Sequence, residues 1–227
     1  MKFEILPKHL AIIPDGNRRW AREKNLPDFF GHKEGYKRSE EIIQEAKDLG
    51  IEYVSIWAFS TENWKRKEDE KSELFSLIAR GLTHLHDTVL QRKSRFVHLG
   101  RKDRLGTELL QLISTLEEET KEYTTFTLCV AIDYGGEDEV LRAGEAYKKS
   151  EDIAKTLVDF LDTSRYGVPS PDFIIRTSGE KRTSGFMPLQ SVYSEWYFNE
   201  KHFPNFGKED LHLALADYAS RERRQGR

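Results

Sequence analysis

The sequence predicts an α/β fold, a single domain in which helices cover both faces of a mostly parallel, six-stranded sheet. Short apolar runs alternate along the chain with longer segments of helical periodicity, which is the order expected of β-α-β units. The runs are nearly continuous in hydrophobicity, as is typical of parallel strands buried on both faces. The chain has 227 residues, a length that one α/β domain commonly fills. We therefore expect one domain over residues 1–227.

Six runs rich in β-branched and aromatic residues are the predicted strands. They span residues 10–13, 53–59, 96–99, 126–132, 173–175 and 196–198. Apolar residues at helical spacing fill much of the chain between them, most clearly over residues 42–49 and 73–90. Residues 162–171 include two prolines and a glycine, a composition that predicts a surface loop.

The composition excludes several classes of protein. Aromatic residues make up 11% of the chain, a content that intrinsically disordered chains lack. The net charge of -3 has the wrong sign for a protein that binds nucleic-acid phosphates, so we expect no nucleic-acid partner. The single cysteine, Cys129, excludes an intrachain disulfide and indicates a reducing compartment. The apolar stretch at residues 10–14 is too short for a signal peptide or a membrane span, and we expect a cytoplasmic protein.

Polar segments follow four of the predicted strands, at the end where α/β sheets bind their ligands. They are residues 15–19, 60–64, 133–136 and 176–182. Because the carboxyl ends of parallel strands meet at one edge of a sheet, we expect these segments to lie together.

The first of these segments has the chemistry of a phosphate site. Asp15 offers a carboxylate to a hard cation such as Mg²⁺, and the backbone of Gly16 and Asn17 leads into a helix N-terminus, which favours phosphate. An ordinary turn is the alternative. The adjacent Arg18 and Arg19 favour the anion site.

The last segment points to the same chemistry. Arg176 and Arg182 flank a loop that contains glycine and serine, and guanidinium groups match the geometry of phosphate oxygens. A diphosphate is the natural ligand for such a pair. Ion pairs with neighbouring acidic residues are the alternative.

The predicted helix over residues 73–90 has a broad apolar stripe. The stripe could line a hydrophobic tunnel or could simply pack on the sheet, and the pattern does not distinguish the two. His84 and His86 are two residues apart on this helix and face different directions, so we expect no metal pair there. The sequence contains no P-loop, dinucleotide-binding, nucleophile-elbow or Cys-x-x-Cys motif, which leaves metal-assisted diphosphate chemistry.

Several long segments resemble one known family. They are HLAIIPDGNRRWA, GHKEGYKR, IWAFSTENWKR, DYGG, IIRTSGEKRTSGFMPLQSVYSEWYF and the terminal RERRQGR. These segments, spread over residues 9–226 and thus over almost the whole chain, are similar to those of the cis-prenyltransferases, the undecaprenyl diphosphate synthase-like family.

The resemblance implies a homodimeric, Mg²⁺-dependent enzyme that condenses isopentenyl diphosphate with an allylic diphosphate, forms Z double bonds and releases diphosphate. It implies that Asp15 is a Mg²⁺ ligand and that Asn63 helps in proton handling. The residues that it implies for the allylic substrate are Gly16, Asn17, Arg18, Arg19, Trp20, His32, Ser60, Thr61, Glu62, Trp64 and Arg66.

The remaining implied roles concern the second substrate and the dimer. Arg176, Arg182 and Ser184 match the family's isopentenyl diphosphate site. Glu195 matches a carboxylate that reaches the metal from the partner-facing side. Arg224 and Gly226 match an element that crosses the dimer interface to a diphosphate.

The chain departs from the family pattern at a few positions. Asp28 stands where an arginine that meets the phosphate is common, and an acid there would repel the substrate. Pro14 replaces the usual methionine or leucine, and Glu137 stands where arginine is frequent. The segment between residues 134 and 176 is shorter than in long-chain members, so the sequence leaves product length open.

Three interpretations follow from the sequence. The first is an active prenyltransferase that makes long, short or branched products. The second is a non-catalytic partner subunit, although such a subunit would be expected to lose Asp15 or its arginines. The third is a module that binds prenyl diphosphates without turnover. For each of them we expect at most a peripheral membrane contact.

Overall fold

A computed structural model describes residues 3–222, and its sheet contains six strands. They are β1 (His9–Ile13), β2 (Tyr53–Ser60), β3 (Arg95–Leu99), β4 (Thr127–Tyr134), β5 (Phe173–Arg176) and β6 (Glu195–Phe198). The order in the sheet is β3-β4-β2-β1-β5-β6, and all neighbouring strands are parallel. The predicted strands are confirmed, with ends that differ by one or two residues.

Over the described residues, seven α-helices lie between the strands or, in the case of the last one, after them. They are α1 (Asn17–Glu23), α2 (Asp28–Asp48), α3 (Glu68–Gln91), α4 (Thr107–Thr120), α5 (Gly136–Lys148), α6 (Asp162–Arg165) and α7 (Lys208–Ser220). Short 3-10 helices cover Thr61–Lys65, Leu157–Phe160 and Phe203–Asn205. The predicted helix over residues 73–90 lies within α3.

The core has two layers because side chains alternate between the faces of each strand. In β1, Leu10 and Ile12 join a large cluster with α2, α3, α4 and α7, whereas Ala11 and Ile13 join a smaller one on the other face. The smaller cluster includes Phe186, from the connection between β5 and β6. Both faces of the sheet are therefore covered, as the continuous hydrophobicity of the strands predicts.

The prediction of a surface loop over residues 162–171 was wrong at its start. Asp162 and Thr163 are buried and form the first turn of α6. The Asp162 carboxylate accepts a hydrogen bond of 2.9 Å from the Gly100 N–H and two from the Arg142 guanidinium. These partners lie 20 or more residues away, and local composition does not reveal them.

The sheet order fixes the location of the site. Strand β1 lies between β2 and β5, so the residues that follow these three strands meet at one edge. Ile13 is opposite Arg176, and Ile12 is opposite Ile56. This is the carboxyl edge, where ligands of open α/β sheets bind.

Candidate active site

The Asp15 carboxylate is the centre of the polar cluster at this edge. Its Oδ1 accepts hydrogen bonds from the Gly16 N–H at 2.7 Å and from Arg19 Nη2 at 3.1 Å, and its Oδ2 accepts one from Arg176 Nη2 at 2.9 Å. Burial raises the pKa of Asp15, but the hydrogen bond and charge of Arg176, aided by Arg19 and Gly16, outweigh burial and lower the pKa below its usual value. Asp15 is therefore ionised at neutral pH.

Arg176 is almost fully buried and joins two parts of the site. Besides Asp15, it donates from Nη1 to Ser184 Oγ at 2.7 Å and to the carbonyl oxygen of Arg182. A buried guanidinium with one carboxylate partner and a serine hydroxyl beside it has donors of the kind that phosphate oxygens accept. The structure thus brings Asp15, Arg176 and Ser184 together, as the sequence predicts.

Gly16 allows the chain to turn directly into α1. Its φ of 97° lies in the left-handed region, and a Cβ at this position would clash with Ser178 and with the His202 ring. Thr177 Oγ1 donates to the Asp15 carbonyl oxygen at 2.8 Å, and Ser178 contacts His202 through a hydrogen bond of 2.6 Å. The supporting role of Thr177, Ser178 and His202 was not predicted from the sequence. The one sign of it there is that Thr177 and Ser178 directly follow Arg176 along the chain.

A cavity of about 580 Å³ opens beside this cluster. Its polar lining includes Asp15, Asn17, His32, Ser60, Glu62, Asn63, Arg66, Arg176 and Ser184. Its apolar lining includes Ile43 of α2, Ile56, Leu128 and Val130 of the sheet, and Leu74, Leu77, Ile78, Leu82 and Leu85 of α3. The polar residues around Asp15 and the apolar residues of α3 therefore line one and the same cavity.

The cavity extends along α2 and α3. It is lined from His32 to Gln44 on α2 and from Leu74 to Thr88 on α3. At 1.5 Å per helical residue, these stretches are about 20 Å long. Tyr36 and Glu40 also line it, and the Tyr36 hydroxyl donates to Glu40 at 2.7 Å. The lining is thus mainly but not wholly apolar away from Asp15.

A second cavity, of about 590 Å³, adjoins the first and shares His32, Arg66 and Leu74 with it. Arg66 Nη1 donates to Glu70 Oε1 at 2.9 Å, and Arg18 Nη1 lies 3.5 Å from the same oxygen. His32 Nε2 is buried without a hydrogen-bond partner among the described residues. Burial and the charges of Arg66 and Arg18 lower the pKa of His32 to about 4. Two guanidinium groups beside an unpartnered, neutral imidazole form a site suited to an anion.

Asp28, the acid at a position where the family often has arginine, does not stand alone. Arg22 donates to its two carboxylate oxygens at 2.9 and 2.7 Å. The hydrogen bond from Arg22 lowers the pKa of Asp28, and the charges of Arg22 and Arg18 add to this effect. The negative charge that the sequence analysis expected to repel a phosphate is therefore largely balanced by Arg22.

Asn63 is held in the 3-10 helix Thr61–Lys65. Its Oδ1 accepts a hydrogen bond of 3.1 Å from the Ser60 N–H, which caps the start of this helix. Both residues line the first cavity. Ser60 and Asn63 therefore share this cavity with Asp15.

Several predicted residues do not line the first cavity. Trp20 donates to Asn205, Thr61 donates to Glu62, Arg18 lines only the second cavity, and Arg19 bridges Asp15 and Glu180. The side chain of Arg182 is exposed and pairs with Glu180. Trp64 donates from Nε1 to Asp133 at 2.7 Å. These side chains surround or support the site.

Glu195 is not brought to Asp15 within one chain. It is the first residue of β6, at the amino edge of the sheet, and it pairs with Arg221 at 2.8 Å. Arg224 and Gly226, the other residues predicted to act across an interface, lie outside the described residues. The role of these three residues stays a prediction that involves a second chain.

Residues 133–136, at the end of β4 and directly after it, are at the expected edge but serve other purposes. The Asp133 side chain is fully buried and turned toward Trp64 and Arg104. The Tyr134 hydroxyl donates to Glu139 at 2.5 Å and is also buried. None of residues 133–136 lines the first cavity.

The candidate protein ligands fit a Mg²⁺ ion that takes most of its ligands from water and substrate. Over residues 3–222, no group of three or more His, Cys, Asp or Glu side chains could enclose a metal ion. Mg²⁺ commonly takes one or two carboxylates and completes its octahedral shell with water and substrate phosphates. The ionised Asp15, with its arginine neighbours, fits that mode, in which most ligands come from a bound diphosphate.

Comparison with known proteins decides the family. A sequence model described as putative undecaprenyl diphosphate synthase matches residues 13–226. The chain belongs to this family of prenyltransferases. It is 42% identical to the isoprenyl transferase of Aquifex pyrophilus over 225 residues, which cover 98% of this chain and 96% of that one. It is 38% identical to the isoprenyl transferase of Clostridium perfringens, covering 97% of this chain and 90% of the relative.

Two solved structures of prenyltransferases share the whole fold. Lavandulyl diphosphate synthase from Lavandula x intermedia, solved in complex with dimethylallyl diphosphate, superposes with a TM-score of 0.92 at 32% identity. A probable undecaprenyl diphosphate synthase from Campylobacter jejuni gives a TM-score of 0.81 at 31% identity. Each comparison covers 99% of this chain and 100% of the other. The predicted family and fold class are confirmed.

Proposed function

We propose that this chain condenses isopentenyl diphosphate with an allylic diphosphate, forms a Z double bond and releases diphosphate. The observation that carries the proposal is the single cavity that joins Asp15 and Arg176 to the apolar face of α3. A prenyl diphosphate has the same division, with an anionic head and an apolar tail. The family membership supports the same reaction.

The two diphosphates have separate candidate sites at the polar end. Arg176 and Ser184, with Arg182 on the same loop, are the proposed site for isopentenyl diphosphate. His32, Arg66 and the start of α1, together with Arg18, are the proposed site for the allylic diphosphate. Convergence of guanidinium groups and a helix N-terminus supports both assignments.

Asp15 is the proposed Mg²⁺ ligand. Mg²⁺ bound there would neutralise charge that develops on the leaving diphosphate. Arg176 and Arg19 hold the Asp15 carboxylate from opposite oxygens and keep it ionised. These contacts orient the carboxylate before any substrate binds.

The chain's own residues contribute three further effects to the proposed reaction. Arginines stabilise the charge that leaves with diphosphate when the allylic C–O bond breaks. The apolar lining from α3 excludes water from the allylic cation and accommodates the new chain. Asn63, fixed through Oδ1 by Ser60, keeps its Nδ2 donor near the diphosphates, and the departing diphosphate accepts the proton that isopentenyl diphosphate loses.

We also propose that the enzyme is a homodimer. Leu141, Leu189, Val192 and Tyr193 are exposed large apolar side chains, and Gln190 ties their two segments together through Glu139. Exposed apolar groups in one region are typical of an interface. Glu195, Arg224 and Gly226 would then act toward the site of the partner. Sedimentation velocity should give a dimer for the wild type and a monomer for Tyr193→Asp; a monomeric wild type would contradict this proposal.

The location of the protein is part of the proposal. Over residues 3–222, none of the helices is long and apolar enough to cross a membrane. Burial raises the pKa of the Cys129 thiol to about 12, so this thiol is inert. We place the enzyme in the cytoplasm, with at most a peripheral membrane contact.

The proposed reaction is tested by diphosphate release. Wild-type protein with isopentenyl diphosphate, an allylic diphosphate and Mg²⁺ should release diphosphate, and Asp15→Ala should lower kcat by about 100-fold or more. Asp87→Ala, which changes a highly exposed aspartate of α3, is the matched control and should keep full activity. Calorimetric binding of both substrates without release by the wild type would instead support a binding module.

A further inference from the structure

The side chain of Trp64, in the 3-10 helix Thr61–Lys65, is held by contacts with several other elements. Its ring packs against Phe59 and Phe75 at centroid distances of 5.6 and 5.3 Å. Arg104 and Lys71 lie over the same ring, at 5.4 and 5.5 Å from its centroid. Its indole N–H donates to Asp133 Oδ1 at 2.7 Å. The indole is therefore in contact with β2, α3, the end of β4 and the segment that carries Arg104.

Asp133 is the charged group at the centre of these contacts. Its side chain has no solvent exposure, and both of its oxygens are used. Arg104 donates from Nε to Oδ2 at 2.8 Å and from Nη2 to Oδ1, the oxygen that also accepts from Trp64. A fully buried carboxylate needs such partners, since an unpaired one would carry a large desolvation cost.

An irregularity of the sheet turns Asp133 toward Trp64. Phe59 of β2 is opposite Ile132 and Ser60 is opposite Tyr134, so Asp133 is the additional residue of a β-bulge in β4. Its φ of 53° is left-handed, as in bulges that redirect a side chain next to a functional site. The carboxylate consequently leaves the line of the strand and faces the segment that follows β2.

The chain between β3 and α4 supports Asp133 from behind. The Arg101 N–H donates to the Asp133 carbonyl oxygen at 3.0 Å. Gly100 allows this close approach, because a Cβ there would clash with the carbonyl oxygens of Ile132 and Asp133. The segment that supplies Arg104 is thus fastened to the end of β4 through both backbone and side chain.

We infer that Asp133, with Arg104, is a positioning residue that fixes the Trp64 indole and, through it, Asn63 and Ser60 beside the cavity. Trp64 directly follows Asn63 in the short 3-10 helix Thr61–Lys65, so the contacts that anchor the Trp64 indole also restrain the backbone of Asn63. Asp133 itself does not line the cavity, and its effect is transmitted by Trp64. This inference rests on the proposed function, which assigns Asn63 and Ser60 to the substrate site.

The test compares variants that remove the carboxylate without straining the backbone. Asp133→Gly is the main variant, because glycine adopts a φ of 53° readily. Asp133→Asn keeps an oxygen that can accept from the indole and should retain most of the activity. Asp103→Asn changes an exposed aspartate of the same loop, which pairs with Arg101, and should behave as wild type.

Two readouts separate positioning from a purely structural role. The chain has four tryptophans, so the ¹H–¹⁵N spectrum should contain four indole cross-peaks, and Trp64→Phe identifies the one from Trp64. We expect Asp133→Gly to shift that cross-peak and to leave those of Trp20 and Trp196 unchanged, whereas Trp57, which donates to the Tyr134 carbonyl oxygen, is left out of the comparison. We also expect Asp133→Gly and Trp64→Phe each to lower kcat/KM about tenfold, and the double variant to lose no more than either single one.

Other results would overturn the inference. An unshifted Trp64 cross-peak in Asp133→Gly would show that the carboxylate does not hold the indole. A double variant whose loss equals the product of the two single losses, about 100-fold, would show that Asp133 acts independently of Trp64. The cross-peak is recorded without substrate, so a wild-type protein that lacks transferase activity would contradict the proposed function and still leave the indole contact tested.

Discussion

Asp15 and Arg176 show how single residues acquire their properties from distant neighbours. They are 161 positions apart, yet Arg176 approaches Asp15 to 2.9 Å because β1 and β5 are adjacent strands. The sequence predicts both as site residues, since each follows a strand. It does not predict that they pair with each other or that the pair keeps Asp15 ionised, because pairing depends on strand order.

Asp28 is a second residue whose effect depends on a neighbouring side chain. From the sequence alone, its negative charge is expected to repel the phosphate of the substrate. Arg22 lies in the last turn of α1 and Asp28 begins α2, so the connection between the helices brings them together. Motif comparison of one position with the family could not reveal that pairing.

The pairing of Asp28 makes a specific prediction. Arg22→Gln should leave the Asp28 carboxylate without its ion-pair partner, next to Arg18 and His32. The KM for the allylic diphosphate should then rise about threefold, which is the size of effect expected for an exposed ion pair. Asp28→Asn in the same background should restore the wild-type KM. Steady-state kinetics with varied allylic diphosphate measures both. An unchanged KM in Arg22→Gln would mean that Asp28 does not affect the phosphate site.

At the level of elements, α3 combines two roles that its sequence pattern could not separate. Leu74 and Leu82 are buried in the large core cluster and also line the cavity. Leu77 and Ile78 line the cavity as well. An apolar stripe at helical spacing fits either role, and only the gap left between α2, α3 and the sheet distinguishes them. The β-bulge at Asp133 was likewise not predictable, because nothing in the local sequence marks it.

The lining of the cavity predicts how α3 affects the products. Ile78→Trp should fill part of the 580 Å³ space and shorten the products by one or more isoprene units, because the growing chain needs that volume. Thr83→Trp, at an exposed position of the same helix, is the matched control and should leave product length unchanged. Chromatography of the dephosphorylated products measures the outcome, and equal product lengths in the wild type and Ile78→Trp would exclude this part of the cavity as the chain site.

At the scale of the whole molecule, the sequence predicts architecture better than assembly. Six strands and their intervening helices follow from hydrophobic periodicity, because the sheet is covered on both faces. The partner of Glu195 in a dimer does not follow from any pattern within one chain. The buried start of residues 162–171 was missed for the related reason that its partners are distant in sequence.

Buried histidines predict how the stability of the whole fold changes with pH. Burial lowers the pKa of His9 and of His98 to about 4, although hydrogen bonds to backbone carbonyls partly oppose the effect. Between about pH 6.5 and 4 the unfolded chain therefore binds more protons than the folded chain. The free energy of unfolding should fall over this range as the pH drops, by at most about 3 kcal/mol for each histidine.

Urea unfolding at pH 7.5 and 4.5 tests this expectation. Comparison of variants isolates the histidines from Glu139, whose pKa is raised mainly by burial and which acts in the opposite direction. His98→Gln should lose stability at pH 7.5 but show a smaller difference between the two pH values than the wild type. His84→Gln changes an exposed histidine and should keep the wild-type difference. Identical pH differences in His98→Gln and the wild type would contradict the assignment.

The proposed condensation is tested most directly by measuring the length of the products that the purified chain makes from radiolabelled isopentenyl diphosphate. Five-, ten- and fifteen-carbon allylic diphosphates are supplied separately, each with Mg²⁺ or with EDTA. We expect elongated prenyl diphosphates with at least one primer in the reactions that contain Mg²⁺, and none in those that contain EDTA. Absence of any elongated product from folded protein with every primer would contradict the proposed condensation.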